Sequence, residues 1–250
     1  MFSQLYIRRI TMETEPERGS YLRDIPAISH LMKDKFIELS KNITFFVGEN
    51  GSGKSTLLEA IAVNFGFNAE GGSRNFVFST TSTHSDLYKN IRLGKGLRPK
   101  DGFFLRAESF YNAASYIDEL DREAPSFHKL IDSYGGISLH NQSHGESFLS
   151  LVQNRFGDNG LYILDEPEAA LSPMRIMTLM VEIDRLRRAG SQFIIATHSP
   201  ILLTMPDSEI FEFSENGISK VHYKDTEHYQ ITRNFLENPE KMLKYLLDQG

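Results

Sequence analysis

The strongest constraint on how this chain folds is a glycine-rich stretch, residues 48–56, which fills the pattern G-x-x-x-x-G-K-[ST]. A short apolar, β-prone run at residues 43–47 precedes it, and helix-forming residues without a breaker follow at positions 56–62. Together, a strand, a glycine-rich loop and a helix present backbone N–H groups and the positive end of a helix dipole to phosphate. A glycine turn that fits the pattern by accident is the alternative, and the flanking elements argue against it. The sequence therefore predicts an α/β fold with a phosphate-binding loop.

The residues of this loop have separate expected roles. Lys54 is expected to reach the β- and γ-phosphates of a nucleotide and to support catalysis with its charge, and the Ser55 hydroxyl is expected to bind Mg²⁺. The predicted nucleotide-binding set within the loop is Asn50, Gly51, Ser52, Gly53, Lys54, Ser55 and Thr56. The stretch thus predicts a site for a nucleoside triphosphate with its magnesium ion.

The composition agrees with one globular domain. The chain has 250 residues, 40% of them hydrophobic, which is enough for one large core. It has no cysteine, and this excludes disulfides, thiolate zinc sites and iron–sulfur clusters. Its start lacks the basic-then-apolar order of a signal peptide, and no apolar stretch approaches the length of a membrane span. We therefore expect a soluble, cytoplasmic protein without membrane insertion.

The charge pattern says little about nucleic acid. The formal net charge of −6 provides no bulk attraction to DNA, although it leaves room for a local basic face. Residues 89–101 are basic and contain glycine, and we interpret them as the most mobile surface segment. The cations there would form either a contact surface or, more simply, a solvated loop; they are Arg92, Lys95, Arg98 and Lys100.

The rest of the chain is continuous, without a repeat, a heptad run or a linker. Residues 2–10 and 102–107 are predicted strands, and residues 28–39 a helix or loop that runs into an edge strand. Loops are predicted at residues 70–75 and 79–85. Residues 111–132 are predicted to be helical, with an interruption at Pro125.

A second motif lies at residues 161–167. Four apolar residues predict a fully buried strand, and two carboxylates follow at its carboxyl end, where parallel α/β sheets bind ligands. Asp165 is placed to hold Mg²⁺, and Glu166 to polarise the attacking water as a general base. The alternative interpretation is an ordinary acidic pair at a strand end, and the presence of the phosphate-binding loop argues against it.

The Asp165-Glu166-Pro167 ending resembles that of the ATP-binding cassette (ABC) ATPases rather than that of AAA+ motors, small GTPases or kinases. Residues 143–147 resemble the Leu-Ser-Gly-Gly-Gln signature of this family, since they keep the serine, one glycine and a polar fifth residue. The resemblance implies that the signature residues contact nucleotide; here these are Ser143, Gly145 and Glu146.

A helix is predicted directly after this signature. An apolar face formed by Phe148, Leu149, Leu151, Val152 and Phe156, with Gly157 just past the end, indicates a helix that leads to the strand before Asp165. Ser143 and Glu146 also fit an S-x-x-E capping box, so a plain helix N-terminus is the alternative. Both interpretations are compatible, because a helix N-terminus presents N–H groups to phosphate.

A third motif ends another predicted buried strand, at residues 193–200, with a helix at residues 176–188 before it. His198 resembles the switch histidine of cassette ATPases, which contacts the γ-phosphate and positions the water. A structural histidine at a strand end is the alternative. By the same resemblance, residues 168–173 would form the D-loop at a dimer interface, although Ser172 stands where transporter cassettes usually carry an aspartate.

Within the family, residues 166–173 and 196–200 are more like those of the non-transporter cassettes, the RecF-like, SMC-like and OLD-like ATPases. The whole chain looks like a compact bacterial group of predicted ATPases. Residues 48–62 and 102–110 carry that closer match. The interval from Lys54 to Ser143 is too short for the coiled coil of SMC-type proteins. The family's glutamine between loop and signature is absent, and Glu108 would either ligate the metal in its place or be a surface glutamate.

The resemblance implies a P-loop NTPase fold of the ABC-ATPase type, with a central, mostly parallel sheet and an N-terminal antiparallel β part. One domain would span residues 1–250, with a helical and signature insert at roughly 108–157. Two copies would close on two ATP molecules with Mg²⁺ as a homodimer, hydrolyse them and reopen. This cycle would switch a soluble effector protein or a partner that processes DNA or acts in defence or as a toxin.

Two alternatives remain open. One is the cytoplasmic ATPase subunit of an ABC transporter, against which the altered D-loop, the missing glutamine and the single-glycine signature argue. The other is a binding module that closes on ATP with negligible turnover, against which Glu166 argues.

Overall fold

The computed structural model describes residues 5–73, 85–106 and 144–247. Its strands are β1 (Ile7–Met12), β2 (Phe36–Glu38), β3 (Ile43–Gly48), β4 (Ile91–Lys95), β5 (Asp101–Arg106), β6 (Gly160–Asp165), β7 (Gln192–Ala196), β8 (Ser208–Ser214) and β9 (Gly217–Val221). Its α-helices are α1 (Pro26–Asp34), α2 (Lys54–Phe65), α3 (His144–Arg155), α4 (Pro173–Arg188), α5 (Glu227–Glu237) and α6 (Pro239–Leu247). The predicted strands and helices around all three motifs are present.

The larger sheet has the strand order β5-β6-β7-β3-β8-β9, and its neighbours are parallel except for β9. The register pairs Phe46 of β3 with Ala196 of β7, and Ala196 in turn with Asp165 of β6. Because these parallel strands end level with one another, the glycine-rich loop, the acidic pair and the segment with His198 all leave the sheet at the same edge. This edge holds the candidate site.

The smaller sheet is antiparallel, in the order β2-β1-β4. The side chain of Gln192, at the start of β7, joins it to the larger sheet. Its Oε1 accepts the N–H groups of Tyr6 and Ile7, and its Nε2 donates to the Ile7 carbonyl at 2.8 Å. The predicted combination of a mostly parallel central sheet and an N-terminal antiparallel part is therefore confirmed.

The prediction of a mobile basic segment at residues 89–101 is wrong for residues 91–95, which form β4 and pair with β1. Ile91 and Leu93 point into the core, whereas Arg92 is exposed and pairs with Glu13. The period-2 alternation of a half-buried strand was present in the sequence. The basic residues on its outer face obscured it, because they give the segment the composition of a loop.

Helices cover both faces of the larger sheet. On one face α1 and α2 pack with the antiparallel sheet, and on the other α3 and α4 enclose a second cluster. The predicted apolar face of α3 is confirmed, with four of its five predicted residues fully or nearly fully buried: Phe148, Leu151, Val152 and Phe156. Helix α4 begins three residues earlier than predicted, because Pro173 occupies its first turn and the Ser172 hydroxyl accepts the Arg175 N–H.

Several predictions fall on residues that the structure does not describe. These are the helical region at residues 111–132, most of the loop at residues 79–85, and the positions of Glu108 and Ser143. Within the described ranges, no helix is long and apolar enough to cross a lipid bilayer.

Candidate nucleotide site

The glycine-rich loop joins β3 to α2 in a conformation that glycine favours. Gly53 caps α2 with a φ of +98°, and a Cβ there would collide with the side chain of Ile25 and come within 3.0 Å of the Ala27 Cβ. Gly48 has a φ of +142°, and a Cβ on it would meet the Phe213 carbonyl oxygen. The start of α1 also touches the loop, since the Ala27 N–H donates to the Ser52 carbonyl at 3.0 Å. The chain therefore packs tightly around the loop from two sides.

Lys54 is the first residue of α2 and is only 4% exposed. Its Nζ donates to the carbonyl oxygens of Gly48 and Glu49, at 2.7 and 2.8 Å. Burial lowers the pKa of Lys54 below its usual value, although the nearby carboxylates of Glu166 and Asp165 act in the opposite direction. A buried cation whose hydrogen bonds to described residues go to neutral carbonyls would gain from a directly bound anion, so this position suits a phosphate group.

Two oxygen atoms lie together beside this lysine. The Ser55 hydroxyl donates to Asp165 Oδ1 at 2.9 Å, and Asp165 is buried at the end of β6. A hydroxyl and a carboxylate are hard oxygen ligands of the kind that bind Mg²⁺ together with phosphate oxygens. The residues present therefore fit the predicted magnesium site.

Arg106, at the end of β5, adds a cation that the sequence interpretation missed. Its Nη1 donates to Glu59 Oε2 at 2.8 Å, and its Nε lies 3.7 Å from Asp165 Oδ2. The contact could not be predicted from the sequence, because only the packing of α2 against the sheet brings Glu59 to Arg106. Arg106 thus balances part of the negative charge around Asp165.

Glu166 follows Asp165 in a left-handed backbone conformation, with a φ of +50°. This conformation is unfavourable for a residue with a side chain and tends to occur at functional sites. The Glu166 N–H donates to the Ala196 carbonyl at 3.0 Å, which ties the turn to β7. The carboxylate oxygen Oε1 lies 3.5 Å from His198 Nε2. The structure therefore brings two of the three predicted catalytic side chains, Glu166 and His198, close together.

His198 is held by two further side chains. Its backbone N–H donates to Glu168 Oε1 at 2.5 Å, and its ring Nδ1 lies 2.7 Å from Nε2 of His228 on α5. Burial lowers the pKa of His198, and the charges of Lys54 and His228 lower it further. Burial raises the pKa of the Glu168 carboxyl. Neither Glu168 nor His228 was predicted to contact the histidine.

Two clefts border the loop. The smaller, of about 300 Å³, is lined by Ile25, by Glu166 and by the loop residues between Asn50 and Thr56 other than Ser52. The larger, of about 810 Å³, lies on the other side of the loop, between Pro26, the β8–β9 hairpin and α5. Since Glu166, Lys54 and Ser55 all line the smaller cleft, the chemistry predicted from the sequence points to that side.

Two of the three predicted signature residues, Gly145 and Glu146, lie elsewhere. Gly145 is buried at the described start of α3, where a Cβ would come within 2.8 Å of the Ala170 carbonyl oxygen and 2.5 Å of Arg175 Nη1. Glu146 forms an ion pair with Arg175 Nη2 at 3.0 Å. Neither residue lines the two clefts that border the loop. Ser143 and Glu108 lie outside the described residues, and their roles stay predictions.

Comparison with known proteins agrees with this geometry. Residues 28–108 match a family profile described as an AAA domain. Residues 147–204 match a second one, described as an AAA domain with reference to the AbiEii toxin of a type IV TA system. The xylose import ATP-binding protein XylG of Moorella thermoacetica is 24% identical over 213 residues, which are 80% of this chain and 41% of that protein. The chain thus spans less than half the length of this relative.

A second relative matches over most of its own length. The cytochrome c biogenesis ATP-binding export protein CcmA of Legionella pneumophila is 30% identical over 173 residues, which are 65% of this chain and 82% of CcmA. Among solved structures, a nucleotide-free ATP-binding cassette from an ABC transporter has the same fold, with a TM-score of 0.51 at 17% identity and coverage of 96% of this chain and 98% of the other. The chain therefore belongs to the ABC-type ATPases, P-loop proteins whose members bind and hydrolyse ATP.

Proposed function

We propose that this chain binds ATP with Mg²⁺ in the smaller cleft and hydrolyses it. One observation carries the proposal: Lys54, the Ser55–Asp165 pair and the Glu166–His198 pair converge at one sheet edge, with contacts of 2.9 Å and 3.5 Å within the two pairs. These are the groups that phosphoryl transfer requires, since catalysis of this reaction is mainly positioning and charge stabilisation.

Each group has a distinct task in the proposed reaction. Lys54 and the backbone N–H groups of residues 50–56 bind the phosphates, with Asn50, Gly51, Ser52, Gly53 and Thr56 forming the rest of the cradle. Ser55 and Asp165 hold Mg²⁺, which offsets phosphate charge when bound. Glu166 accepts a proton from the attacking water, and His198 donates a hydrogen bond towards the γ-phosphate.

We also propose that the site is completed by a second copy of the chain. Ser143, Gly145 and Glu146 would face the nucleotide of the partner copy across a two-fold axis, so that two ATP molecules are buried in one homodimer. The position of Gly145 and Glu146 outside both clefts supports this division. Loss of the γ-phosphate would then open the dimer.

The dimer would act as a switch for a soluble effector that processes DNA or acts in defence or as a toxin. The match of residues 147–204 to a profile that refers to a toxin supports this output, as do the single glycine of the signature and Ser172 in the D-loop. The second candidate output is a membrane transporter, with this chain as its cytoplasmic ATPase. It is favoured by the relatives XylG and CcmA, whose names describe import and export.

Exchange of the proposed base tests hydrolysis and dimerisation together. Glu166→Gln keeps the shape of the side chain but removes its basicity, so turnover should fall by about 10²–10⁴-fold while ATP binding persists. The variant should therefore accumulate as an ATP-bound dimer in size-exclusion chromatography, and phosphate release should be slow. The control is Glu240→Gln, at an exposed position on α6. Wild-type turnover by Glu166→Gln would remove Glu166 from the mechanism.

The trapped dimer also separates the two outputs. Affinity purification of Glu166→Gln from its native cells with ATP, followed by mass spectrometry, should recover a soluble effector. Recovery of an integral membrane permease instead would assign the chain to a transporter.

A further inference from the structure

The switch histidine His198 has a partner outside the three sequence motifs. Ring nitrogen Nδ1 of His198 lies 2.7 Å from Nε2 of His228, and the two ring centroids are 4.8 Å apart at an interplanar angle of 53°. This is hydrogen-bond geometry between two imidazoles, one of which must donate and the other accept. The direction of this bond decides which ring nitrogen of His198 carries the proton.

The surroundings favour one direction. If His198 Nδ1 donated, its bare Nε2 lone pair would face the Glu166 carboxylate at 3.5 Å, and the two acceptors would repel each other. His228 would then carry its proton on Nδ1, a buried atom without a hydrogen-bond partner among the described residues. An unpaired buried donor is costly. If His228 Nε2–H donates to His198 Nδ1, the repulsion is removed, and the N–H left without a hydrogen bond is that of His198 Nε2, which faces the Glu166 carboxylate at 3.5 Å instead of lying next to no described partner.

We infer that His228 is a positioning residue for His198: its Nε2–H bond to His198 Nδ1 fixes the tautomer in which His198 Nε2–H points to Glu166 and the phosphate side. The inference rests on the proposed function of His198 in ATP hydrolysis. His198 Nε2 is itself buried and has no hydrogen-bond partner within the described ranges, so its proton is available to a ligand. The lowered pKa of His198 agrees with a neutral ring that carries one proton.

His228 is held in place by contacts that do not involve His198. It lies in the first turn of α5, two residues after the fully buried Thr226, whose hydroxyl donates to the Tyr223 carbonyl at 2.7 Å. The Glu227 N–H donates to Glu212 Oε1 of β8 at 3.2 Å. The rings of Tyr223 and Tyr229 pack edge to face with centroids 5.3 Å apart. The donor is therefore anchored to the sheet and to its own helix before it meets the histidine.

The ring nitrogens can be observed directly in the nucleotide-free protein by ¹⁵N–¹H NMR, with His198→Gln used to assign the His198 signals. The wild-type spectrum should show His198 as the Nε2–H tautomer. His228→Phe keeps a ring but removes the donor, so His198 should shift towards a mixture of tautomers. His228→Gln can present an amide N–H at the same point and should restore the wild-type pattern. His30→Phe is the matched control, since His30 is bonded to the Glu215 carbonyl away from this pair.

Steady-state kinetics of the His228 variants should show a loss in turnover rather than in substrate affinity. His228→Phe should lower kcat by roughly tenfold, the equivalent of one hydrogen bond, with KM for ATP within about twofold of the wild type. His228→Gln and His30→Phe should stay near wild-type values.

The outcomes are distinguishable. A wild-type His198 that carries its proton on Nδ1, or His198 signals that are identical in wild type and His228→Phe, would overturn the inference. If His228→Phe does not fold, the inference is decided by the His198 tautomer in the wild type and in His228→Gln, which should both show the proton on Nε2. If the tautomer is as expected but the wild type hydrolyses no ATP, the positioning role stands and the proposed function fails.

Discussion

The start of α2 and the start of α3 both carry a glycine and both were predicted to contact nucleotide, yet their surroundings differ. Around α2, the cationic Lys54 and the hydroxyl of Ser55 line one cleft with Glu166, and the Ser55 hydroxyl contacts the carboxylate of Asp165. Around α3, Gly145 is packed against Ala170, and Glu146 is neutralised by Arg175 at 3.0 Å. The first region thus has the groups for phosphate chemistry within one chain, while the second is an ordinary packed helix start. The contrast is what the proposed homodimer requires, in which each chain would carry two half-sites.

The largest effect is expected in the first region, from Lys54→Ala. The change removes the buried cation that the phosphates would contact, so the affinity for ATP should fall by roughly 100-fold or more. Titration with a fluorescent ATP analogue measures this. Lys89→Ala is the control, because Lys89 is an exposed lysine paired with Asp86. Unchanged affinity in Lys54→Ala would mean that the loop does not bind phosphate, and the comparison between the two regions would lose its basis.

A smaller effect of a different kind is expected in the second region, from Gly145→Ala. The added methyl group would press on the Ala170 carbonyl and Arg175, so the free energy of unfolding should fall by about 1–3 kcal/mol. ATP affinity should stay within about twofold, since this helix start is not part of the chain's own site. Denaturant unfolding and nucleotide titration measure the two quantities.

Gly157→Ala, near the other end of α3, is the control for this change. Among the described residues, a Cβ there has only Asp101 Oδ2 near it, at an ordinary contact distance of 3.6 Å. Loss of ATP affinity in Gly145→Ala, with little loss of stability, would show that the two regions form one site within a single chain.

The smallest effect concerns Glu168, the buried carboxyl that accepts the His198 N–H. Because burial raises its pKa above the usual value of 4.5, the folded protein binds this proton more tightly than the unfolded chain does. The stabilisation from that proton is complete below the usual pKa and is lost as the pH rises through the raised pKa. Glu168→Gln keeps an oxygen acceptor but does not titrate.

The melting temperature of the wild type should therefore fall relative to that of Glu168→Gln as the pH rises above about 4.5, by a few degrees at most. Scanning calorimetry at several pH values measures this difference. Glu240→Gln, at an exposed position, should show no such trend. A difference that grows in the opposite direction would mean that Glu168 is stabilised as an anion.

The parts of the site that are formed by residues adjacent in the sequence could be predicted from the sequence. The loop around Lys54 and the carboxylates after β6 each follow a continuous apolar strand, and the order of parallel strands then brings their ends together. The contacts of Arg106 with Glu59 and of His228 with His198 could not be predicted in this way. They join residues that lie far apart in the sequence, and only tertiary packing sets their distance.

The same reasoning explains which strands of the fold could be predicted. Strands β6 and β7 are buried on both faces and give unbroken apolar runs, so they were predicted. Strand β4 is half-buried, and its outward cations made it look like a loop. Burial on one face leaves only an alternating signal, which five residues express weakly.

The most direct test of the two-half-site account is a mixing experiment with chains damaged in different halves. Ser143→Asp should bind ATP normally but place a carboxylate against the partner's γ-phosphate, so it should neither dimerise nor hydrolyse ATP. Lys54→Ala should bind ATP too weakly to fill its own site but keep an intact signature. In a mixed dimer, the ATP on the Ser143→Asp chain meets the intact signature of the Lys54→Ala chain, and one complete site remains.

Phosphate release from the equimolar mixture is the deciding measurement. Random pairing makes about half of the dimers mixed, each with one complete site, so activity should return to no more than roughly a quarter of the wild-type rate if the sites act independently. Activity that stays at the average of the two inactive parents, with both chains folded by circular dichroism, would contradict the account.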